Sequence, residues 1–398
     1  MNAPGFLDRW AEIEPIGRAA SGGYRRFAWT REDAVLREWF EGEASALGLD
    51  VTVDRAGNQW AWWGDPDARP GIVTGSHLDS VPDGGAFDGP LGVLSALAAV
   101  EGLKFGGFQP SRPIGVVNFV DEEGARFGVA CAGSRVITGA MSADRAAGLK
   151  DHQGTTLGEA MRAAGRNPEH LGRDEETLRR IGAFVELHVE QGKALATEEY
   201  DAAIGVGTAI WPHGRWRFDF AGQANHAGTT RLVDRDDPML AYASTVLAAR
   251  RIAGNHDAVA TFGKLLVEPN GVNAIPSLVR AWLDARAPSE QDVQGLLAEL
   301  TTAAQELGAT VSEESWTGNT LFDANLAERM SEMLGDAPLL GTGAGHDAGI
   351  LATAGVPSGM LFVRNPTGIS HSPAEFAPEA DCLAGVQALT TVVRGLAA

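Results

Sequence analysis

The stretch Gly75-Ser76-His77-Leu78-Asp79-Ser80-Val81-Pro82-Asp83-Gly84-Gly85-Ala86-Phe87-Asp88-Gly89 most constrains this chain, because it follows directly on the apolar run Gly71-Ile72-Val73-Thr74. An imidazole and several carboxylates there occupy a glycine-studded loop at the end of a buried-strand pattern, which is where an open α/β sheet places its chemistry. One carboxylate has two oxygens, so Asp88 could bridge two metal ions while His77 gives a neutral nitrogen to one of them. Alone, an H-x-D segment reads more readily as a capping Asp beside a surface His. Three further segments turn that balance. Asp121-Glu122-Glu123-Gly124 follows the apolar run from Ile114 to Val120, Glu186-Leu187-His188-Val189-Glu190-Gln191-Gly192 follows Ile181 to Val185, and Gly368-Ile369-Ser370-His371-Ser372-Pro373-Ala374-Glu375 comes shortly after Met360 to Val363. Each sets His or Glu at or just beyond the end of a buried-strand pattern.

On these four ordered motifs the chain, from about Thr30 to its C-terminus, resembles the binuclear-metal amidohydrolases of the M20 peptidase superfamily. Within it, the similarity is to the branch of N-carbamoyl-L-amino acid hydrolases, β-ureidopropionases and allantoate amidohydrolases. The resemblance implies that His77, Asp88 and His188 hold one divalent ion and that Asp88, Glu123 and His371 hold a second. Zinc, manganese, cobalt and nickel all accept such N/O donors. It makes Glu122 the general base, and His188 points to the carbamoyl branch because many peptidase relatives are expected to use a carboxylate there. Adjacent Glu122 and Glu123 can divide these roles only if the loop has left strand geometry, since successive strand side chains point to opposite faces.

The same resemblance implies that His226, in Asn225-His226-Ala227-Gly228, donates to the oxygen of the tetrahedral intermediate. Asn273 and Arg286 would grip the substrate carboxylate, and Gln191 would contact a ureido group. The plain alternative for Arg286 is an ion pair with Asp284. Asp79 is expected to fix the His77 tautomer. His346, in Gly345-His346-Asp347, is expected near the site, ordering the loop that presents His371. Two stretches depart from the family pattern: Arg231-Leu232 stands where Pro and Met commonly follow, and Ala209-Ile210-Trp211-Pro212-His213 replaces a segment richer in small residues. His152, His170, His213 and His256 have no ligand-like context. Metal-dependent hydrolysis of an N-carbamoyl-L-amino acid or of allantoate is therefore expected, with an aminoacylase or aminopeptidase as the alternative within the superfamily.

At 398 residues the chain is too long for one ordinary core. Lys and Arg total 32 against 52 Asp and Glu, a formal charge of -20 that speaks against nucleic acid or an anionic membrane as partner. An anionic substrate stays compatible, because bound cations and local arginines reverse the field inside a site. With only Cys131 and Cys382, a disulfide scaffold is not expected and a reducing compartment is. Met1-Asn2-Ala3-Pro4-Gly5 lacks a leader pattern, and no apolar run approaches the ~20 residues of a membrane span, so a cytoplasmic enzyme is expected.

The patterning predicts a helix from Thr30 to about Gly48, a hairpin of Val51–Val53 with Gln59–Trp63, and a nearly all-apolar helix from Leu91 to Leu103. The tryptophans of the hairpin are expected to pack rather than bind. Short surface helices are expected over 143–180. From Ile210 the order of elements becomes β-α-β-β-α-β, ending near Ser315, a ferredoxin-like signature. The fold class is thus α/β: a discontinuous catalytic domain, 1–209 with 321–398, built on a mixed sheet flanked by helices, and an inserted α+β lid and dimerisation domain, 210–320. The resemblance implies a homodimer.

Overall fold

The computed structural model describes residues 5–398; Met1 to Pro4, on which most of the leader reading rests, lie outside them. The chain divides into two compact units, residues to Ala209 together with Leu321–Ala398, and Ile210–Thr320. No helix among the described residues is long and apolar enough to cross a membrane.

In the first unit one sheet runs in the order Asp50–Val53, Gln59–Trp63, Ile114–Phe119, Gly71–His77, Ile181–Val189, Ser358–Val363, Ile204–Ile210, Thr320–Leu321, with Leu339–Thr342 pairing to Ile204–Ile210. The four central strands, from Ile114–Phe119 to Ser358–Val363, are mutually parallel, and the flanking pairs are antiparallel. Burial on both faces explains why the parallel strands read as continuous apolar runs. From Gly71–His77 the chain moves to Ile114–Phe119 on one side and then to Ile181–Val189 on the other, so the strand order reverses there. The carboxyl ends of these two neighbours flank a topological switch point, the crevice where open α/β sheets bind ligands.

Helix Pro90–Phe105 is buried over most of its length and packs, with Glu379–Ala397, on the sheet face that carries Val185, Leu187 and Val189. The alternate residues Glu186 and His188 face the opposite layer, where helices Ala132–Thr138 and Asp347–Thr353 lie. Helix Arg31–Ala46 starts where its cap predicts: the Thr30 side chain accepts from the Asp33 amide. The hairpin forms in register, Val51 opposite Ala61, and Trp60 stacks with Trp62 inside the core, so this tryptophan cluster packs. Helix Phe6–Ile13 has no strong sequence signal; its Phe6 and Ile13 join the same core.

The second unit has a four-stranded antiparallel sheet ordered Ala309–Thr317, His213–Ala221, Leu278–Arg286, Val259–Glu268, with helices Pro238–Ala253 and Glu290–Glu306. In chain order the strands stand fourth, first, third, second, the ferredoxin-like arrangement. Alternation along Leu278–Arg286 buries Val279, Ala281, Leu283 and Ala285 against the helices.

Candidate metal centre

Four loops or strand ends meet at the switch point. His77 is the last residue of its strand, and His188 lies one residue before the end of the adjacent one. The backbone leaves strand geometry after Phe119, and Asp121 takes a positive φ of 55°. That departure lets Glu122 and Glu123 both approach the centre. The Asp79 carboxylate accepts from the amides of Glu122 and Glu123, each at 3.1 Å, which clamps the turn. Asp79 also lies beside the His77 ring, its Oδ1 3.4 Å and its carbonyl 3.2 Å from Nδ1. It therefore touches both the imidazole and the glutamate loop; the second contact lies outside what its spacing from His77 suggested.

Gly89, next to Asp88, must be glycine: its φ is 83°, and a Cβ there would lie 2.4 Å from Cε1 of His77. The missing side chain lets the imidazole close on the helix start. Asp88 occupies the middle of the centre. Its Oδ1 lies 3.1 Å from His188 Nε2 and 3.6 Å from His77 Nε2, while its Oδ2 lies 3.4 Å from His371 Nε2. His371 Nε2 is also 3.6 Å from Glu123 Oε2. Two groups thus offer ligand atoms within 4.8 Å of one another: His77, Asp88 and His188, and Asp88, Glu123 and His371.

These residues fit divalent cations on their own chemistry. His188 Nδ1 points to the Val189 carbonyl at 2.9 Å, as His77 Nδ1 points to Asp79, so the Nε2 of each ring turns inward. Both Nε2 atoms, and Oε1 of Glu123, are buried without a hydrogen-bond partner. Buried polar atoms left without a partner are costly. Burial lowers His77, yet the carboxylates of Glu122, Asp79 and Asp88 outweigh it and hold the imidazole well above its ordinary range. Burial raises Glu123 to about 8, with Asp88 adding. It also raises Glu122 well above the carboxylate range, against the pull of His77, and Glu123 and Asp347 reinforce it. Glu122 Oε2 is 3.7 Å from His77 Nε2, beside both ligand groups and a member of neither.

Gln191 donates through Nε2 to Asp88 Oδ2 at 2.9 Å and lies 3.3 Å from His371 Nε2, so its amide borders the second group. His346 is buried and packs its ring on His188, centroids 4.5 Å apart, and on Phe362. This contact puts it against the strand that carries His188, at the N-terminus of the short helix Asp347–Thr353. In the second unit His226 pairs across a two-residue ladder with Ala274, and the Asn273 carbonyl accepts from the Ala227 amide at 2.9 Å, so the two loops are tied together. His226 Nδ1 accepts from the Gly228 amide at 3.0 Å, which leaves the ring proton on Nε2. Arg286 donates through Nε and Nη2 to Asp284, at 2.7 and 3.1 Å, the ion pair its neighbour suggested. Arg231 pairs with Asp234, and His256 with Glu299.

Three further residues bear on the centre without having been assigned a role from the sequence. Glu375 accepts from the amides of Phe87 and Asp88, at 2.9 and 3.0 Å, and fixes the backbone of Asp88. Glu186, fully buried, accepts from Ser76 Oγ at 2.7 Å and from the Ala348 amide at 3.0 Å, tying the His77 strand to the helix behind His188. The available signal was its period-two spacing from His188. Cys131 donates to Glu122 Oε1; nothing local announces that contact.

The family profile described as "Peptidase family M20/M25/M40" matches residues 73–395. The chain belongs to this family. Among its M20 relatives, the N-carbamoyl-L-amino acid amidohydrolase of Geobacillus stearothermophilus is 36% identical over 405 residues, spanning 98% of this chain and 97% of that protein. The allantoate amidohydrolase of Bacillus subtilis is 33% identical over 398 residues, spanning 97% and 95%. An amidase of the hydantoinase/carbamoylase family from Burkholderia multivorans superposes with a TM-score of 0.87 at 31% identity, covering 100% of this chain and 98% of that one.

Proposed function

We propose that this M20 chain hydrolyses the ureido C–N bond of a small carboxylate-bearing substrate, with an N-carbamoyl-L-amino acid as the leading candidate. One water is consumed per substrate, and the amino acid, ammonia and carbon dioxide are released. The observation that carries this is the shared carboxylate: Asp88 presents one oxygen to His77 and His188 and the other to His371, with Glu122 beside them. Relatives named for carbamoyl amino acids and for allantoate, matched over nearly their whole length, support the substrate class and keep allantoate as the second reading.

In this reading His77, Asp88 and His188 hold one divalent ion and Asp88, Glu123 and His371 the other, drawn from zinc, manganese, cobalt or nickel. Bound there, the ions would supply Lewis acidity for the carbonyl and acidify the attacking water. Glu122 takes the water's proton and delivers it to the leaving nitrogen, a task open to it because it lies beside the ligand groups and belongs to neither. His226 donates from Nε2 to the oxygen that becomes anionic, Asn273 and Arg286 receive the substrate carboxylate, and Gln191 contacts the ureido group. A cytoplasmic location belongs to the same reading, supported by two buried, unbridged cysteines.

The deciding experiment is a substrate panel with the metal-loaded protein, reading ammonia release from N-carbamoyl-L-amino acids, N-carbamoyl-β-alanine and allantoate, and free amino acid from N-acetyl and N-formyl amino acids. Release from carbamoyl amino acids is expected. Exclusive turnover of N-acetyl substrates would make this an aminoacylase instead.

Metal loading should depend on pH. Glu123, held at about 8, and the raised imidazoles of His77 and His188 carry protons below those values in the metal-free protein and must lose them to bind. Affinity is therefore expected to climb as pH rises toward about 8. Titration calorimetry in two buffers of different ionisation enthalpy should report net proton release at pH near ~7; zero release would sink the assignment.

Arg286→Ala is expected to raise KM for carboxylate-bearing ureido substrates ~10-fold or more with metal content intact, since a charge-assisted pair is lost. An unchanged KM would show that Arg286 is a structural arginine. Assembly is the remaining expectation. Strand Val259–Glu268 is the outer strand of its sheet and exposes Val259, Leu265 and Leu266, and helix Pro238–Ala253 exposes Leu240 and Leu247. An apolar strand edge left open invites pairing with a copy of itself about a two-fold axis. Sedimentation over a dilution series should give a dimer, and Leu265→Glu with Leu247→Glu a monomer. A wild-type monomer throughout would refute it.

A further inference from the structure

We propose that Cys131 is a positioning residue for Glu122, its thiol holding one carboxylate oxygen so that the other faces the metal centre. The inference rests on the reading of Glu122 as the base. The segment Cys131 to Gly133 runs back along Val120 to Glu122: the Gly133 amide donates to the Val120 carbonyl at 3.1 Å, that of Ala132 to Asp121 at 3.0 Å, and that of Cys131 to Glu122 at 2.5 Å. This ladder fixes the backbone of the glutamate but leaves its side chain free to rotate. The thiol adds the missing constraint. Cys131 Sγ donates to Glu122 Oε1 at 3.2 Å, and Glu122 Oε2 is the oxygen 3.7 Å from His77 Nε2.

A second observation sets Cys131 apart from an ordinary buried cysteine. Its φ of 54° is left-handed, a conformation that costs a side-chain-bearing residue energy and that glycine would take freely. A chain indifferent to the side chain would be better served by glycine here. The thiol is 2% exposed, and burial, with Glu122 and Asp347 adding, keeps it well above its ordinary range, so it stays S–H and donates. Glu122 accepts no other side-chain hydrogen bond among those of the described residues, and its amide is already taken by Asp79. A thiol is a weak donor. It can therefore set the rotamer while releasing the oxygen's charge to the reaction more readily than an arginine or a lysine would.

The test compares Cys131→Ala, Cys131→Gly and Cys131→Ser on a carbamoyl substrate that the wild type turns over. Ala and Gly should both lower kcat about tenfold while KM and metal content hold, and Ser, which restores a donor, should recover most of the loss. The glycine variant keeps the test open should the alanine variant fail to fold, because it relieves the backbone strain while removing the thiol. Wild-type kcat in Cys131→Gly would overturn the proposal, as would a serine variant no better than alanine.

An activity-independent arm uses the metal-free protein. The S–H stretching band of Cys131, assigned by its disappearance in Cys131→Ser, should lie below that of an unbonded thiol and move up on Glu122→Ala. A band that does not move would overturn the contact. Should the wild type release ammonia from no ureido acid, the functional reading fails, and the infrared arm still decides whether the thiol holds Glu122.

Discussion

Glu122→Gln is expected to retain its metal while kcat falls ~100-fold or more, the range by which a positioned general base contributes. Glutamine keeps the length and the acceptor toward Cys131 but cannot take a proton from water. Because Glu122 is in neither ligand group, metal analysis of the purified variant should match the wild type. KM should change little, since the loss falls on the transition state. Turnover within a few fold of wild type would mean that another group moves the proton; one buried candidate is Asp347, which accepts from Ser134 Oγ and is raised by burial to about 8.

Asp88→Ala should have the larger effect on metal. Partners that merely orient a ligand cost ~10- to 100-fold in affinity when removed, so a carboxylate in the bridging role proposed for Asp88 should cost more than ~100-fold at each position. In the metal-free protein burial raises Asp88, but His188 and His77 outweigh it and hold it well below the carboxylate range. Removing it leaves two inward-facing imidazoles without their counter-charge. Elemental analysis after gel filtration is expected to find neither ion, and turnover should vanish with them. One full equivalent remaining would show that His77 and His188 hold an ion without Asp88, and that the carboxylate is not shared.

The legible part of this protein is local. Strand periodicity, the Thr30 cap, the hairpin at Gly57 and the apolar stretch behind Asp88 each depend on neighbours a few residues away, and the elements they predict form with ends shifted by a residue or two. The βαββαβ order of the second unit was legible for the same reason. The short spacing of His77 to Asp88, and the placement of each His or Glu at a strand's carboxyl end, marked the motifs as one site, because a parallel sheet delivers all such ends to one edge.

Which side chains meet across that edge is another matter, since it depends on strand order, and strand order is not written in any local pattern. The sheet places Ser358–Val363 on one side of Ile181–Val189 and Gly71–His77 on the other; Glu375 meets the amide of Asp88 across 287 positions of chain and Glu186 meets Ser76 across 110. Periodicity carries no record of such pairs. Cys131 is only nine residues from Glu122, yet its thiol reaches the carboxylate across a backbone that is left-handed at both Asp121 and Cys131, a conformation Asp takes with some ease but that propensity gives a cysteine no reason to adopt. The sequence by itself determined the elements and the candidate ligands. Tertiary structure alone decided which oxygen of Asp88 faces which histidine and what holds Glu122 in place, because those contacts are products of packing and not of spacing along the chain.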